Sequence, residues 1–403
     1  MNDLYTPTKI ILERYADVLV NFALNSGAGI KKGEVVEISI PDIAKPLAKE
    51  LQIAVLKSGG HPIIKLIPTG DFIKDFFEFA SDEQLIHFPK KYFKAKSNLL
   101  DHAISIIAET DPLELINIDS KKIMKTQLAR YPYREWQFEK ERNNKFTWTV
   151  GLYGTQAKAD NVGLTLKEYW EQIINACFLD KKDPVEEWRQ LSQVQKDINT
   201  KLNKLEIETL HIVGPDADLT VKLGVNRAWR TGGGTNIPSF EHFTSPDWRG
   251  TNGWIKFNQP LYRYGNIIEG VELEFKNGLV TKAIAKKGEK VLRDMIETKD
   301  ANKIGEFSLT DKRLSRITHS MAETLFDENI GGPFGNTHIA VGMAYKECYK
   351  GDASKVKNSE WKKMGYNNSS VHTDIVSTVD RTVTATLTNG EKLLIYENGQ
   401  FVL

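Results

Sequence analysis

Over residues 8–25 apolar side chains recur at helical spacing, as Ile11, Tyr15, Val18, Leu19 and Phe22, and Gly27 and Gly29 end the stripe. Residues 35–40 are a short apolar run that predicts a strand. Residues 43–57 then predict a helix closed by Gly59-Gly60, and residues 62–67 a second strand. A strand, a helix and a strand in succession form the unit from which parallel sheets with crossover helices are built. Residues 103–108 predict a further buried strand. The first part of the chain therefore reads as an α/β domain with a parallel sheet.

Residues 167–205 are mainly helical in pattern, interrupted at Lys181-Lys-Asp-Pro184. Beyond them the period changes. Short strand-like runs cover residues 209–213, 219–223, 270–275, 279–286 and 383–387, and Asn277-Gly278 and Asn389-Gly390 supply hairpin turns. The fold class expected is α/β, with an N-terminal α/β domain over residues 1–187. A C-terminal mixed α+β catalytic domain, rich in antiparallel strands, is expected over residues 188–403. A length of 403 residues suits two cores better than one.

Composition narrows the function classes. The 54 Lys and Arg residues nearly balance the 53 Asp and Glu, for a formal charge of +1, and no basic stripe points to nucleic acid or to an anionic membrane. No run of about eighteen uncharged apolar residues predicts a membrane span. Glu13, Arg14 and Asp17 interrupt the first apolar stripe in a way no secretory leader tolerates. The two cysteines, Cys177 and Cys348, stand far apart and outside any Cys-x-x-Cys pair. A reduced, cytoplasmic protein is expected. The run Thr231-Gly-Gly-Gly-Thr235 precedes no helical pattern and has no Lys after it, so it reads as a flexible turn, not a phosphate loop.

The chemistry is concentrated near the C-terminus, where two of the eight histidines stand among carboxylates. In His372-Thr-Asp374 the flanking β-branched residues favour an extended chain, which would project His372 and Asp374 from one face and Thr373 from the other. His338 and Tyr345 are seven apart in a segment containing Ala340, Gly342 and Ala344. On a helix, seven residues are nearly two turns and would put both side chains on one face. Asp327-Glu328-Asn329 precedes them, and Glu241 and Glu306 lie in polar or glycine-containing surroundings. Taken singly, a solvated glutamate, a polar helix cap or a core histidine accounts for each.

Together the pieces form an ordered pattern. Asn236-Ile-Pro-Ser-Phe-Glu241 is followed by Phe243-Thr-Ser-Pro246, Lys287-Gly-Glu-Lys-Val-Leu292, Ile304-Gly-Glu306 and Thr324-Leu-Phe-Asp-Glu-Asn329. His338-Ile-Ala-Val-Gly342 with Ala344-Tyr345, and then His372-Thr-Asp374, complete it. From about residue 190 to the C-terminus this resembles peptidase family M29, the thermophilic-type metallo-aminopeptidases of the aminopeptidase T and S kind. The resemblance implies that Glu241, Glu306, Glu328, His338, His372 and Asp374 hold two divalent metals, zinc or cobalt, with manganese or magnesium as further options. It also implies that Tyr345 acts as a catalytic group beside them and that the protein is a homodimer. One departure from typical members is the longer interval between Glu328 and His338, residues 329–337.

Four carboxylates would balance two divalent ions, and two neutral imidazoles would add affinity for zinc or cobalt. The activity implied is removal of N-terminal residues from peptides with a free α-amine, by a water that two metals activate. Glu306 is then the first choice for the proton-transferring carboxylate, Glu306 or Asp374 the candidate bridge, and Tyr345 the donor to the oxyanion. Two other readings stay open at this point. Another two-metal hydrolase, acting on an amide or phosphoester, would need cationic groups such as Arg227, Arg230 or Arg249 near the metals. A non-catalytic two-domain ligand-binding protein would hold no tightly bound ions.

Overall fold

The computed structural model of the protein describes residues 5–403. The chain divides into two compact units. The first comprises residues 1–193 with 232–239, and the second residues 194–231 with 240–403. The break falls inside the helix Pro184–Lys204.

The first unit is built on strands β1 (Val35–Pro41), β2 (His61–Ile67), β3 (His102–Ile107) and β4 (Thr147–Leu152). They form one parallel sheet in the order β2-β1-β3-β4. Val36, Ile38 and Ile40 of β1 and Ile104 and Ile106 of β3, the sheet's central strands, are buried. The helices Lys9–Asn21 and Lys45–Lys57 fall where their apolar stripes predict them. Thr8 caps the first by accepting a hydrogen bond from the Ile11 N–H. Residues 232–239 join this unit because Val150 donates its N–H to the Thr235 carbonyl and accepts one from Ile237, which extends the sheet past β4. The glycine run is thus a turn, as expected.

The second unit carries fourteen further strands among the described residues. They are β5 (Ile207–Gly214), β6 (Ala217–Lys222), β7 (Glu241–Thr244), β8 (Asn252–Lys256), β9 (Leu261–Arg263), β10 (Asn266–Ile268), β11 (Glu272–Lys276) and β12 (Leu279–Ile284), followed by β13 (Ile304–Thr310), β14 (Asn336–Gly342), β15 (His372–Ser377), β16 (Thr382–Leu387), β17 (Lys392–Glu397) and β18 (Gln400–Phe401). An eight-stranded antiparallel sheet runs β12-β11-β8-β6-β5-β16-β17-β18. Asn277-Gly278 and Asn389-Gly390 turn two of its hairpins, as their sequence predicts. A second antiparallel sheet has the order β15-β14-β13-β7, and β9 and β10 pair on their own. The fold class is therefore the expected one: a parallel α/β unit and a unit rich in antiparallel sheet.

One element differs. Residues 338–345, expected as a helix, are a strand up to Gly342. The reason lies in the alternation of Thr337, Ile339 and Val341 with Asn336, His338, Ala340 and Gly342: β-branched residues at every second position suit a pleated backbone. All seven residues of β14 are buried, as are all seven of β13, so neither strand has a solvent-exposed face to reveal its period. Among the described residues no helix is long and apolar enough to cross a membrane. Cys177 and Cys348 are both buried and not joined in a disulfide.

Candidate metal centre

One face of the four-stranded antiparallel sheet gathers the residues of interest. Register pairs Ala340 of β14 with Glu306 of β13 on one side and with Asp374 of β15 on the other. A methyl group in the middle of that row leaves room between two carboxylates that a larger side chain would fill. His338, two residues earlier on the same face, is paired with Ser308, and His372 with Gly342. Glu241 enters from the edge strand β7, opposite Thr310. Glu328 comes from outside the sheet, at the C-terminal end of the short helix Thr324–Asp327.

The six side chains meet. His338 Nε2 lies 3.2 Å from Glu241 Oε2 and 3.6 Å from Glu306 Oε1, while His372 Nε2 lies 3.6 Å from Glu306 Oε2 and 3.5 Å from Asp374 Oδ1. Three overlapping triads each bring their potential ligand atoms within 4.8 Å of one another: Glu241, Glu306 and His338; Glu306, His372 and Asp374; Glu328, His338 and Asp374. Glu306 and Asp374 each belong to two triads, as does His338. Glu328 is in the cluster in spite of the longer interval before His338. His372-Thr-Asp374 is extended, with the side chains of His372 and Asp374 on one face and Thr373 on the other, buried.

Electrostatics favours positive charge within the cluster. Burial raises the Glu306 carboxyl to about 7, and the nearby Glu241 and Asp374 push the same way. Burial and then Glu241 lift Glu328 well above the ordinary carboxylate range. At Asp374 burial is outweighed by His372 and the net direction is downward. At His338 burial is likewise outweighed, here by Glu241 and Glu306, which favour the imidazolium. Four buried or half-buried carboxylates packed this closely need protons or cations between them. His338 Nε2 is fully buried and aligned for a hydrogen bond with neither carboxylate. An imidazole nitrogen with no hydrogen bond, facing carboxylate oxygens, is the donor set that zinc or cobalt takes. The residues therefore fit a divalent metal.

His372 is oriented by its other nitrogen, since Nδ1 is 2.8 Å from the Met343 carbonyl. A carbonyl can only accept, so Nδ1 carries the hydrogen and Nε2 keeps its lone pair for the cluster. Gly305 guards this arrangement: a Cβ there would collide with the same Met343 oxygen. Tyr345 lies beyond the end of β14, where its N–H donates to Ser245 Oγ at 2.8 Å. Its ring packs against the His372 imidazole with centroids 4.6 Å apart. The proximity to the site expected from helical spacing is thus achieved by another route, an extended chain turning back past β15.

Two neighbours were not singled out from the sequence. Ser308, whose hydroxyl donates to Glu241 Oε2 at 3.3 Å, lies two residues after Glu306 on a strand, a spacing that alternation alone would have flagged. Arg263 donates from Nη2 to the His372 carbonyl at 3.2 Å and its charge helps keep Asp374 ionised; no local signal marks it. The arginines considered for phosphate binding are engaged elsewhere. Arg227 donates to the carbonyls of Ser245, Val225 and Met364, Arg230 to those of Glu347 and Tyr349, and Arg249 to Asp247 and the Lys363 carbonyl.

Four carboxylates and two imidazoles converging on one sheet face define a metalloprotein. The family model Thermophilic metalloprotease (M29) matches residues 8–401, and the chain belongs to this family. It is accordingly a metallopeptidase, an enzyme that hydrolyses peptide bonds with a divalent metal. Aminopeptidase PepS of Streptococcus thermophilus is 27% identical, with 97% of this chain and 98% of the relative covered. Aminopeptidase AmpS of Bacillus subtilis (strain 168) is 26% identical over 97% and 98%. The structure of wild-type AmpT from Thermus thermophilus superimposes with a TM-score of 0.82 at 24% identity, covering 98% of this chain and all of the other, and shares the fold.

Proposed function

We infer that the protein is an aminopeptidase that works with two divalent ions held by Glu241, Glu306, Glu328, His338, His372 and Asp374. The observation that carries this reading is the three overlapping triads, which share members in the way a paired metal site requires. When bound, two such ions acidify a shared water toward neutral pKa and polarise a carbonyl. Zinc and cobalt suit the mixed imidazole and carboxylate donors, and manganese or magnesium would be served mainly by the carboxylates. Glu306 and Asp374 are the candidate bridges, because each belongs to two triads.

The rest of the chemistry falls to the chain itself. Glu306 is the first choice for the carboxylate that accepts a proton from water and returns it to the leaving amine. His372, Asp374 and Tyr345 are half-buried, whereas Glu241, Glu306, Glu328 and His338 are buried. Substrate therefore approaches from the His372 side, and Tyr345, packed on that imidazole, is suited to donate a hydrogen bond to the tetrahedral oxyanion. The names of the curated relatives support a substrate with a free N-terminus. The other two-metal reading, a phosphoesterase, is disfavoured by the engagement of Arg227, Arg230 and Arg249 with carbonyls and Asp247.

The catalytic part is the segment 188–403, which contributes all seven residues. A homodimer fits the apolar surface of the first unit: Ile63, Ile64 and Leu66 on the sheet-edge strand β2 are exposed, as are Phe72 and Phe79 just after it. Light scattering in solution tests this. Buried cysteines outside any disulfide suit a cytoplasmic location. The decisive test of the activity is metal analysis of the purified protein, followed by assay of aminoacyl amides with free and acetylated α-amines. Cleavage of the free form alone is expected, and equal cleavage of both would refute the aminopeptidase reading.

A further inference from the structure

The longer interval between Glu328 and His338 raises a question of how two members of one triad are kept in register across nine intervening residues. The answer lies at its last turn, in Asn336, the first residue of β14, whose side chain is buried. Its Nδ2 is 2.8 Å from the Glu328 carbonyl and 2.9 Å from the Ile330 carbonyl, and its Oδ1 is 3.3 Å from His338 Nδ1. One carboxamide therefore touches the residues on both sides of the interval. Asn336 and His338 are two apart on a strand and share its face, so this contact is built into the pleat.

Chemistry fixes how the amide is turned. Both backbone carbonyls can only accept, and only the NH₂ end of an asparagine can donate to two acceptors. The oxygen must then face His338. An oxygen with no hydrogen requires a donor opposite it, so His338 carries a hydrogen on Nδ1, and Nε2, which faces Glu241, Glu306 and Glu328, is the nitrogen that would give its lone pair to a bound cation. At His372 the same task is done by the Met343 carbonyl. At His338 a side chain does it, and the same side chain clamps the backbone of Glu328.

We propose that Asn336 is a positioning residue of the metal centre, which sets the tautomer of His338 and fixes the place of Glu328. The proposal rests on the two-ion reading above. Asn336 touches no substrate atom on this account and acts only through the two ligands.

The test is metal affinity, measured by competition of zinc and cobalt with a chromogenic chelator, together with the visible absorption spectrum of the cobalt-loaded protein. Asn336→Ala is expected to weaken binding of at least one ion by roughly ten- to a hundredfold, the usual effect of losing an outer hydrogen-bond partner, and to alter the cobalt bands. Tyr396→Phe is the structural control. It removes hydrogen bonds to the carbonyls of Thr310, the last residue of β13, and of Phe334, within the interval, without touching Glu328 or His338, and should leave affinity and spectrum unchanged. Should Asn336→Ala not fold, Asn336→Asp serves: it keeps an acceptor for His338 but loses both donors, and at least threefold weaker binding of one ion is expected. Affinities and a cobalt spectrum equal to wild type in whichever variant folds would overturn the proposal, as would equal losses in Tyr396→Phe. A wild-type chain that binds no divalent ion removes the two-ion reading and this inference with it. A wild-type chain with two ions and an unaffected Asn336 variant removes the inference alone.

Discussion

The protein contains two four-stranded sheets that bury opposite kinds of residue. The parallel sheet of the first unit fills its interior with Val36, Ile38, Ile40, Ile104 and Ile106. The antiparallel sheet of the second unit buries Glu241, Glu306 and His338 on one face, with Asn336 and Ser308 among them. The first arrangement stabilises the fold at each position, by about 1.5–3 kcal/mol for a fully buried aliphatic side chain. The second costs stability unless protons or cations neutralise the carboxylates. A fold that carries such a face does so for what binds there, and this difference separates scaffold from site.

The contrast breaks most sharply at Glu306. Glu306→Gln keeps the shape but removes a charge shared by two triads and the proposed proton carrier, and kcat is expected to fall about 10²- to 10⁴-fold with loss of metal. Steady-state kinetics with metal analysis on the folded variant checks this, and near wild-type turnover would contradict it. Tyr345→Phe follows, with about a 10²-fold loss in kcat, little change in KM and both ions retained. If the ring serves only packing against His372, the change will appear in thermal stability and not in turnover.

His372→Ala and Asp374→Ala should each lower metal occupancy, whereas Thr373→Val, which replaces a buried hydroxyl without a partner on the other face, should keep both ions. Stoichiometry by plasma emission spectroscopy decides; equal occupancy in all three would dissolve the distinction between faces. On the apolar sheet the order is reversed. Ile38→Ala should cost about 2–5 kcal/mol by denaturant unfolding, with metal content per folded chain unchanged. Loss of metal from that variant would show that the two sheets are not separable in role.

The smallest effect concerns pH. In metal-free protein the Glu306 carboxyl, raised to about 7, holds its proton more tightly folded than unfolded, as Glu328 does. His338, also raised, acts with the same sign. Their stabilisation is complete below the unfolded values, about 4.5 for the carboxyls and 6.5 for the imidazole, and is lost as pH rises through the folded ones. His242, lowered to about 3 by burial, opposes this only below 6.5. The melting temperature of chelator-treated protein should therefore fall from pH 6.5 to 8, and the gain on adding zinc should grow over that interval. A flat profile by calorimetry would show that the carboxylates are neutralised some other way.

The same contrast governs which parts of the molecule were legible in the sequence. Strands β1 and β3 were, because a short apolar run bounded by turn residues is what a buried strand requires, and so was β16, because Asn389-Gly390 follows it as a hairpin signal. His372-Thr-Asp374 was legible as a strand from its β-branched neighbours. The strand β14 was not, because a strand buried on both faces shows no alternation of polarity, and Ala340, Gly342 and Ala344 suggested helix packing. The roles of Asn336 and Arg263 depend on contacts with Glu328 and His372, 8 and 109 residues away, which no local pattern encodes. The ligand set itself came from the ordered resemblance to M29 and not from any single motif.

The central claim is that two ions in the Glu241–Asp374 cluster make the enzyme an aminopeptidase. It is tested most directly by stripping the protein of metal and titrating zinc or cobalt back while following cleavage of an aminoacyl amide with a free α-amine. The account predicts no activity in the verified metal-free protein and full activity only as the bound ions approach two per chain. Full activity without metal, or saturation of uptake with no cleavage at any loading, would contradict it.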